Sequence, residues 1–181
     1  LYYSRYLRPL MDILILNAEF TLPIMSKFPK LSNAVLSNNF IKALTKKIFG
    51  FVDIPLFSEK TFAQECKEND FEILSAQKAE KSDYEVIIVT DPFTVCYEAD
   101  GLVKMACVIR NLGYKVAFLR PYVNGKIKII RGQRRSFLHY AAKQSARLER
   151  IAKTDKALVG YDPALTICYR DEYAQMLGEQ K

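Results

Sequence analysis

The sequence contains no tryptophan, one histidine (His139) and four cysteines in 181 residues. The cysteines, Cys66, Cys96, Cys107 and Cys168, are scattered. None forms the close pairs of a zinc or iron–sulfur knuckle, so a metal site made by this chain alone is excluded as an expectation. Scattered thiols in a chain of this length point to a reducing, intracellular setting rather than a disulfide scaffold. Seven glycines and seven prolines are too few for a collagen or a low-complexity linker. Long apolar runs are missing too. Ile13 to Leu16 is the longest early one, and Arg5, Arg8, Asp12 and Glu19 break the stretch around it. That excludes a secretory leader or a membrane span within the N-terminal residues. No G-x-G-x-x-G, G-x-x-x-x-G-K-[ST] or G-x-S-x-G is present where a strand-to-helix turn would use it. The first residue is Leu1 rather than Met, so a piece of a longer protein is expected.

What is present is foldable. Half the residues are hydrophobic, 12% are aromatic and 26% are charged, with a net charge of +7. This composition excludes disorder and a coiled coil. Residues 1–82 read as a helical, irregular region. Pro9 suits a helix start, Leu10, Ile13, Leu14 and Leu22 recur at helical spacing, and Pro23 ends or kinks that run. A second helix is expected from Asn33 to Phe49, closed by Lys46, Lys47 and Gly50. Ser58 is a candidate cap for a short helix through Cys66, and Gln64 to Asp83 reads as a linker or an excursion.

Residues 83–181 alternate strand and helix. Glu85 to Thr90, Lys115 to Leu119 and Ala157 to Tyr161 are short apolar strands. Glu98 to Leu112 and Gln133 to Lys153 are amphipathic helices, with a last helix near Tyr169 to Leu177. Ile127 to Ile130 reads either as a strand or as extended loop. The pattern predicts an α/β fold: a parallel, doubly wound, Rossmann-like sheet preceded by the helical N-terminal region.

In such a sheet, ligands bind outside the carboxyl ends of the strands. Three loops qualify there: Asp91 to Cys96, Arg120 to Lys126, and Tyr161 to Ala164. They would bring Asp91, Thr94, Cys96, Arg120, Asn124, Gly125, Lys126 and Asp162 to one edge, with Arg170 near. Each has a plainer reading. Asp91-Pro92 and Asp162-Pro163 are common turns, and Asn124-Gly125 is a turn signal in itself. Cys96 is either a small filler or a thiol activated at a helix start. His139, alone on a helix, reads as a packed or surface residue. The basic run Lys126, Lys128, Arg131, Arg134, Arg135 lacks interleaved exposed aromatics. It reads as a solvated or docking face, or as an anion site at a helix start, rather than a nucleic-acid surface.

The segment Gly160-Tyr161-Asp162-Pro163-Ala164, with Tyr169-Arg170-Asp171-Glu172-Tyr173, resembles the closing segment of a cysteine-rich domain. That domain belongs to the iron–sulfur oxidoreductases of the heterodisulfide reductase and glycolate oxidase group. Together with Tyr3-Ser4-Arg5-Tyr6-Leu7-Arg8-Pro9-Leu10, Asp91-Pro92-Phe93-Thr94 and Asn124-Gly125-Lys126, it resembles one branch in particular. These are large bacterial fused enzymes with an FAD-linked oxidase domain, a ferredoxin-like 4Fe–4S segment and a C-terminal cysteine-rich-type domain, acting on D-lactate or D-2-hydroxyglutarate.

The resemblance implies a parent that oxidises a D-2-hydroxy acid by hydride transfer to FAD and passes electrons on through clusters. Its partners would be the FAD and ferredoxin-like domains of the same chain and an electron acceptor, with self-association as a further expectation. Its place would be the cytoplasm, free or peripheral at the inner face of the cell membrane. Where the group carries Cys-Cys-Gly, this chain has Val123-Asn124-Gly125. Where the group carries Cys-x-x-Cys, it has Asp162-Pro163-Ala164-Leu165. The module is therefore expected to hold no cofactor of its own and to serve as scaffold, substrate-side lid or docking surface. A non-catalytic interaction module and a polyanion-binding domain are the alternatives.

Overall fold

A computed structural model describes residues 7–50 and 54–178; the readings made at Tyr3, Ser4, Arg5 and Tyr6 lie outside the described residues. Four short strands build one all-parallel sheet: β1 (Ile73–Leu74), β2 (Val86–Val89), β3 (Val116–Leu119) and β4 (Ala157–Gly160), in the order β1-β3-β2-β4. β2 and β3 are buried along their whole length. A continuous apolar run demands that, because helices must then cover both faces. Side chains alternate between the faces. Val86, Ile88, Val116 and Phe118 pack against α5 (Phe62–Glu68) and α8 (Ala99–Asn111). Ile87, Val89, Ala117 and Leu119 pack against α6 (Ala76–Lys81) and α10 (Arg134–Ala152). The expected α/β sheet with helices on both sides is thus present. Phe118 anchors the first face, edge-on to Phe62 at 5.0 Å and to Phe71 at 5.7 Å.

The remaining helices sit around the carboxyl edge of this sheet. α7 (Pro92–Tyr97) follows β2, α9 (Lys126–Ile130) follows β3, and α11 (Pro163–Arg170) and α12 (Glu172–Gly178) follow β4. A third apolar cluster joins Phe137 and Ala141 of α10 to Leu165, Cys168 and Tyr173. The N-terminal helices are α1 (Leu10–Leu16), α2 (Ala18–Met25), α3 (Pro29–Ser37) and α4 (Asn39–Phe49). α2 packs on α7 and α1 on α9, so the first two helices lie against the same edge. No residue of α3 or α4 is buried. Among the described residues, no helix is long and apolar enough to cross a membrane.

Several local expectations are corrected. The break in the first helical run falls at Asn17, not Pro23, which lies inside α2. The expected helix from Asn33 to Phe49 is two helices. Asn38 is extended, and its side chain accepts from the amides of Phe40 and Ile41, so it starts a helix instead of continuing one. The cap of α5 is Thr61, in a capping box with Gln64. Ser58 instead accepts from the Ala99 amide.

The stretch from Gln64 to Asp83, read as a linker, supplies the edge strand β1 and helix α6. Two strand residues are too few to show a period, and Phe71 and Leu74 are buried by the sheet they join. Ile127 to Ile130, read as a strand or extended loop, lies instead in helix α9. There the buried ammonium of Lys128 donates to the Leu16 carbonyl. The closing helix is two helices, interrupted at Asp171.

Candidate functional site

The strand register fixes the site. Val89 lies opposite Leu119 on one side and Gly160 on the other, so the three connecting loops leave from one edge. Thr90, fully buried, ties two of them by donating from its hydroxyl to the Leu119 carbonyl at 2.7 Å. β3 lies on one side of β2 and β4 on the other, so the segments leaving β2 and β4 are neighbours at this edge. A cleft of ≈ 330 Å³ opens there, lined by Phe93, Thr94, Tyr97, Glu98, Tyr161, Asp162 and Pro163. The Tyr161 hydroxyl donates to Glu98 Oε2 across it at 2.8 Å. That bond to a carboxylate raises the Tyr161 phenol above its ordinary pKa, with partial burial adding to it. Gly101 makes room for the ring: a Cβ at that position would meet the Tyr161 hydroxyl at 2.4 Å.

Both aspartates cap helices. Asp91 accepts from the amides of Phe93 at 2.8 Å and Thr94 at 3.3 Å, and from the Thr94 hydroxyl at 2.6 Å. Asp162 accepts from the Ala164 amide at 2.8 Å. Each is followed by a proline at the first helical position, where the missing N–H costs nothing. The Asp-Pro pairs are therefore helix starts rather than the turns expected, and Pro92 to Tyr97, read as part of a loop, is helix α7 because the Asp91 cap and Pro92 start a helix directly after the strand. Burial raises the Asp91 carboxyl above the usual range, and the charge of Asp162 adds to it.

The Asn124–Gly125 turn holds a contact that sequence reasoning missed. The amides of Asn124 and Gly125 donate to Glu19 Oε1, at 3.0 Å and 3.4 Å. Glu19 comes from α2 and is 2% exposed, and its Oε2 is buried without a hydrogen-bond partner among the described residues. Burial raises its pKa, against the pull of the two amides and of the Lys128 charge; Asp91 adds to the rise. The Asn124 side chain accepts from the Lys126 amide, and its carbonyl accepts from the Tyr173 hydroxyl. Gly125 has φ +77°, a left-handed conformation, and a Cβ there would press on Tyr140 at 3.2 Å. The one signal that pointed to Glu19 is an acid within an otherwise apolar helical run.

Other candidates separate from this group. Cys96 lies near the end of α7, not at its start, and is 2% exposed. Burial pushes its thiol pKa up, which makes it a filler. Arg170 is exposed in the last turn of α11 and makes no hydrogen bond or ion pair among the described residues. Lys126 is half-buried, and its charge pulls against the burial that raises Cys168 to about 12. The Arg120 carbonyl accepts from Arg147 at 2.9 Å. The basic run is not a free patch: Lys128 is turned inward, and Arg131 pairs with Asp12 at 2.8 Å.

A cluster needs about four thiolates converging on one point. Here the loop ends present Asp91, Asn124 and Asp162. Cys96 and Cys168 are buried in different helices with raised pKa values, and no metal-holding group of His, Cys, Asp and Glu exists among the described residues. These residues do not fit an iron–sulfur cluster.

No family model matches the chain, and no solved structure does. Curated proteins do. The chain is 38% identical over its whole length to a protein named D-2-hydroxyglutarate dehydrogenase from Pantoea ananatis, of which it covers 18%. It is 36% identical, over 100% and 99% of its length, to proteins of the same name from Escherichia coli and Haemophilus influenzae, again covering 18% of each. From end to end, then, the chain is homologous to one portion, under a fifth, of the D-2-hydroxyglutarate dehydrogenases.

Proposed function

We propose that this chain is a cofactor-free scaffold and docking module of an FAD-linked, iron–sulfur D-2-hydroxyglutarate dehydrogenase, corresponding to its C-terminal cysteine-rich-type domain. The observation that carries this reading is Glu19. In an open α/β sheet the loop after a central strand is where a ligand would seat. Here the chain's own α2 carboxylate occupies the Asn124 and Gly125 amides. A site filled by the molecule itself serves packing, and the catalytic groups belong to the rest of the parent. FAD and the 4Fe–4S clusters would be held there, and the partners of this module would be those FAD-linked and ferredoxin-like domains. The parent's place would be the cytoplasm, peripheral at the inner face of the membrane.

The test is kinetic and analytical. The purified chain should carry neither iron nor acid-labile sulfide. In the full-length enzyme, Lys126→Ala and Arg170→Ala should leave D-2-hydroxyglutarate turnover with an artificial acceptor unchanged. A fall in kcat at unaltered stability in either variant would assign the module a substrate-side role, and stoichiometric iron in the chain would overturn the reading.

A further inference from the structure

Between Glu19 and Asp53 the sequence has five lysines and not one Asp or Glu, so this segment carries five of the seven net positive charges. α3 and α4 fall within it and pack on each other. α3 is pinned to the body by Asn33, whose side chain exchanges two hydrogen bonds with the Phe57 backbone, at 2.8 and 2.9 Å. No residue of either helix is buried, yet Phe28, Leu31, Val35, Phe40, Leu44 and Ile48 are large, apolar and 41–73% exposed. In α4, Phe40, Leu44 and Ile48 recur at four-residue steps and make one stripe. Lys47 borders that stripe, whereas Lys46 and Lys42 lie progressively farther round the helix, on its opposite, polar face. Lys27 and Lys30 flank Phe28, and all five lysines are exposed.

Two occupants could cover such a face, and the charges separate them. Interfaces between protein domains are depleted in lysine, most of all where apolar residues are dense. A helix lying in a bilayer surface has the opposite composition: an apolar stripe with lysines around it and no acids. Lysine stems then extend along the apolar surface while the ammonium reaches the headgroups. We infer that the α3–α4 pair, with Lys27 and Phe28 before it, is a docking surface for an anionic lipid bilayer. It seats the apolar stripe at the headgroup boundary and sets the lysines against lipid phosphates. The inference rests on the peripheral placement of the parent proposed above and names the surface responsible.

The experiment uses the full-length parent and vesicles of phosphatidylcholine, alone or with phosphatidylglycerol. Binding is expected only to the anionic vesicles and should weaken in high salt. Lys27→Glu/Lys30→Glu/Lys47→Glu, at exposed positions beside the apolar face, should weaken it by roughly a hundredfold or more, since each lysine near an anionic surface contributes about a factor of five. Activity with a soluble acceptor should not change. A polarity-sensitive dye carried at Leu44→Cys should shift to the blue on anionic vesicles and be quenched freely without them. Equal binding to neutral vesicles, or full binding by the triple variant, overturns the inference. So does a dye already shielded in the lipid-free enzyme, because the rest of the parent would then cover the face. If the parent sediments with cell membranes while the pure protein ignores anionic vesicles, the placement stands and this surface is wrong.

Discussion

Glu19 gives the sharpest test of how the carboxyl edge is held. Glu19→Ala removes the acceptor of two amides that lie in buried residues, Asn124 and Gly125. Each orphaned donor costs about 1–3 kcal/mol. The 3.4 Å bond belongs at the low end, and relief of a buried carboxylate offsets part of the total. The net loss should be about 2–3 kcal/mol. For a domain of this size, about 2–4 °C of melting temperature follows each kcal/mol. The variant should therefore melt roughly 4–12 °C below the parent by calorimetry near neutral pH.

Glu19→Gln keeps an acceptor and removes the buried charge, so it should melt near or above the parent at neutral pH. The pH dependence has a definite sign. The folded Glu19 holds its proton above the ordinary value of 4.5, so the unfolded chain releases it first. Stability is therefore fully present below that value and declines as pH rises through the raised folded value. The glutamine variant should flatten this decline, leaving the smaller part due to Asp91, which is shifted the same way. An alanine variant that melts within a degree of the parent, or a glutamine variant with an unchanged pH slope, refutes the argument.

Other outcomes follow from the same contacts. Asp162→Ala loses one cap bond and should cost about 1 kcal/mol, whereas Asp91→Ala loses three bonds in a buried place and should cost about 2–3 kcal/mol by denaturant titration; equal losses would show that burial adds nothing. A thiol reagent should modify only Cys107 in the native chain and all four cysteines after unfolding, since Cys66, Cys96 and Cys168 are buried; rapid native reaction at Cys96 would revive it as an activated thiol. Phe118→Ala should cost about 3–5 kcal/mol, because the fully buried ring packs edge-on to two others. A loss under 1 kcal/mol would mean that this face of the sheet is loosely packed.

The sequence by itself determined the sheet and its covering. Val86 to Val89 and Val116 to Leu119 are unbroken apolar runs, and such runs persist only inside a parallel sheet clad on both faces. It also determined the loops at the carboxyl edge, because Asp-Pro and Asn-Gly carry their geometry in local chemistry. Tertiary structure alone decided what those loops do. Nothing near Asn124 in the sequence announces that Glu19, 105 residues away, takes its amide. Ile127 to Ile130, which the sequence left between strand and loop, lies in a helix whose Lys128 reaches the Leu16 carbonyl, 112 residues away. β1 is two residues long and exists only because β3 offers an edge to pair with. Local propensity fixes an element when its own residues supply the hydrogen bonds and the apolar face. Where the partner is remote, the choice waits for the packed chain.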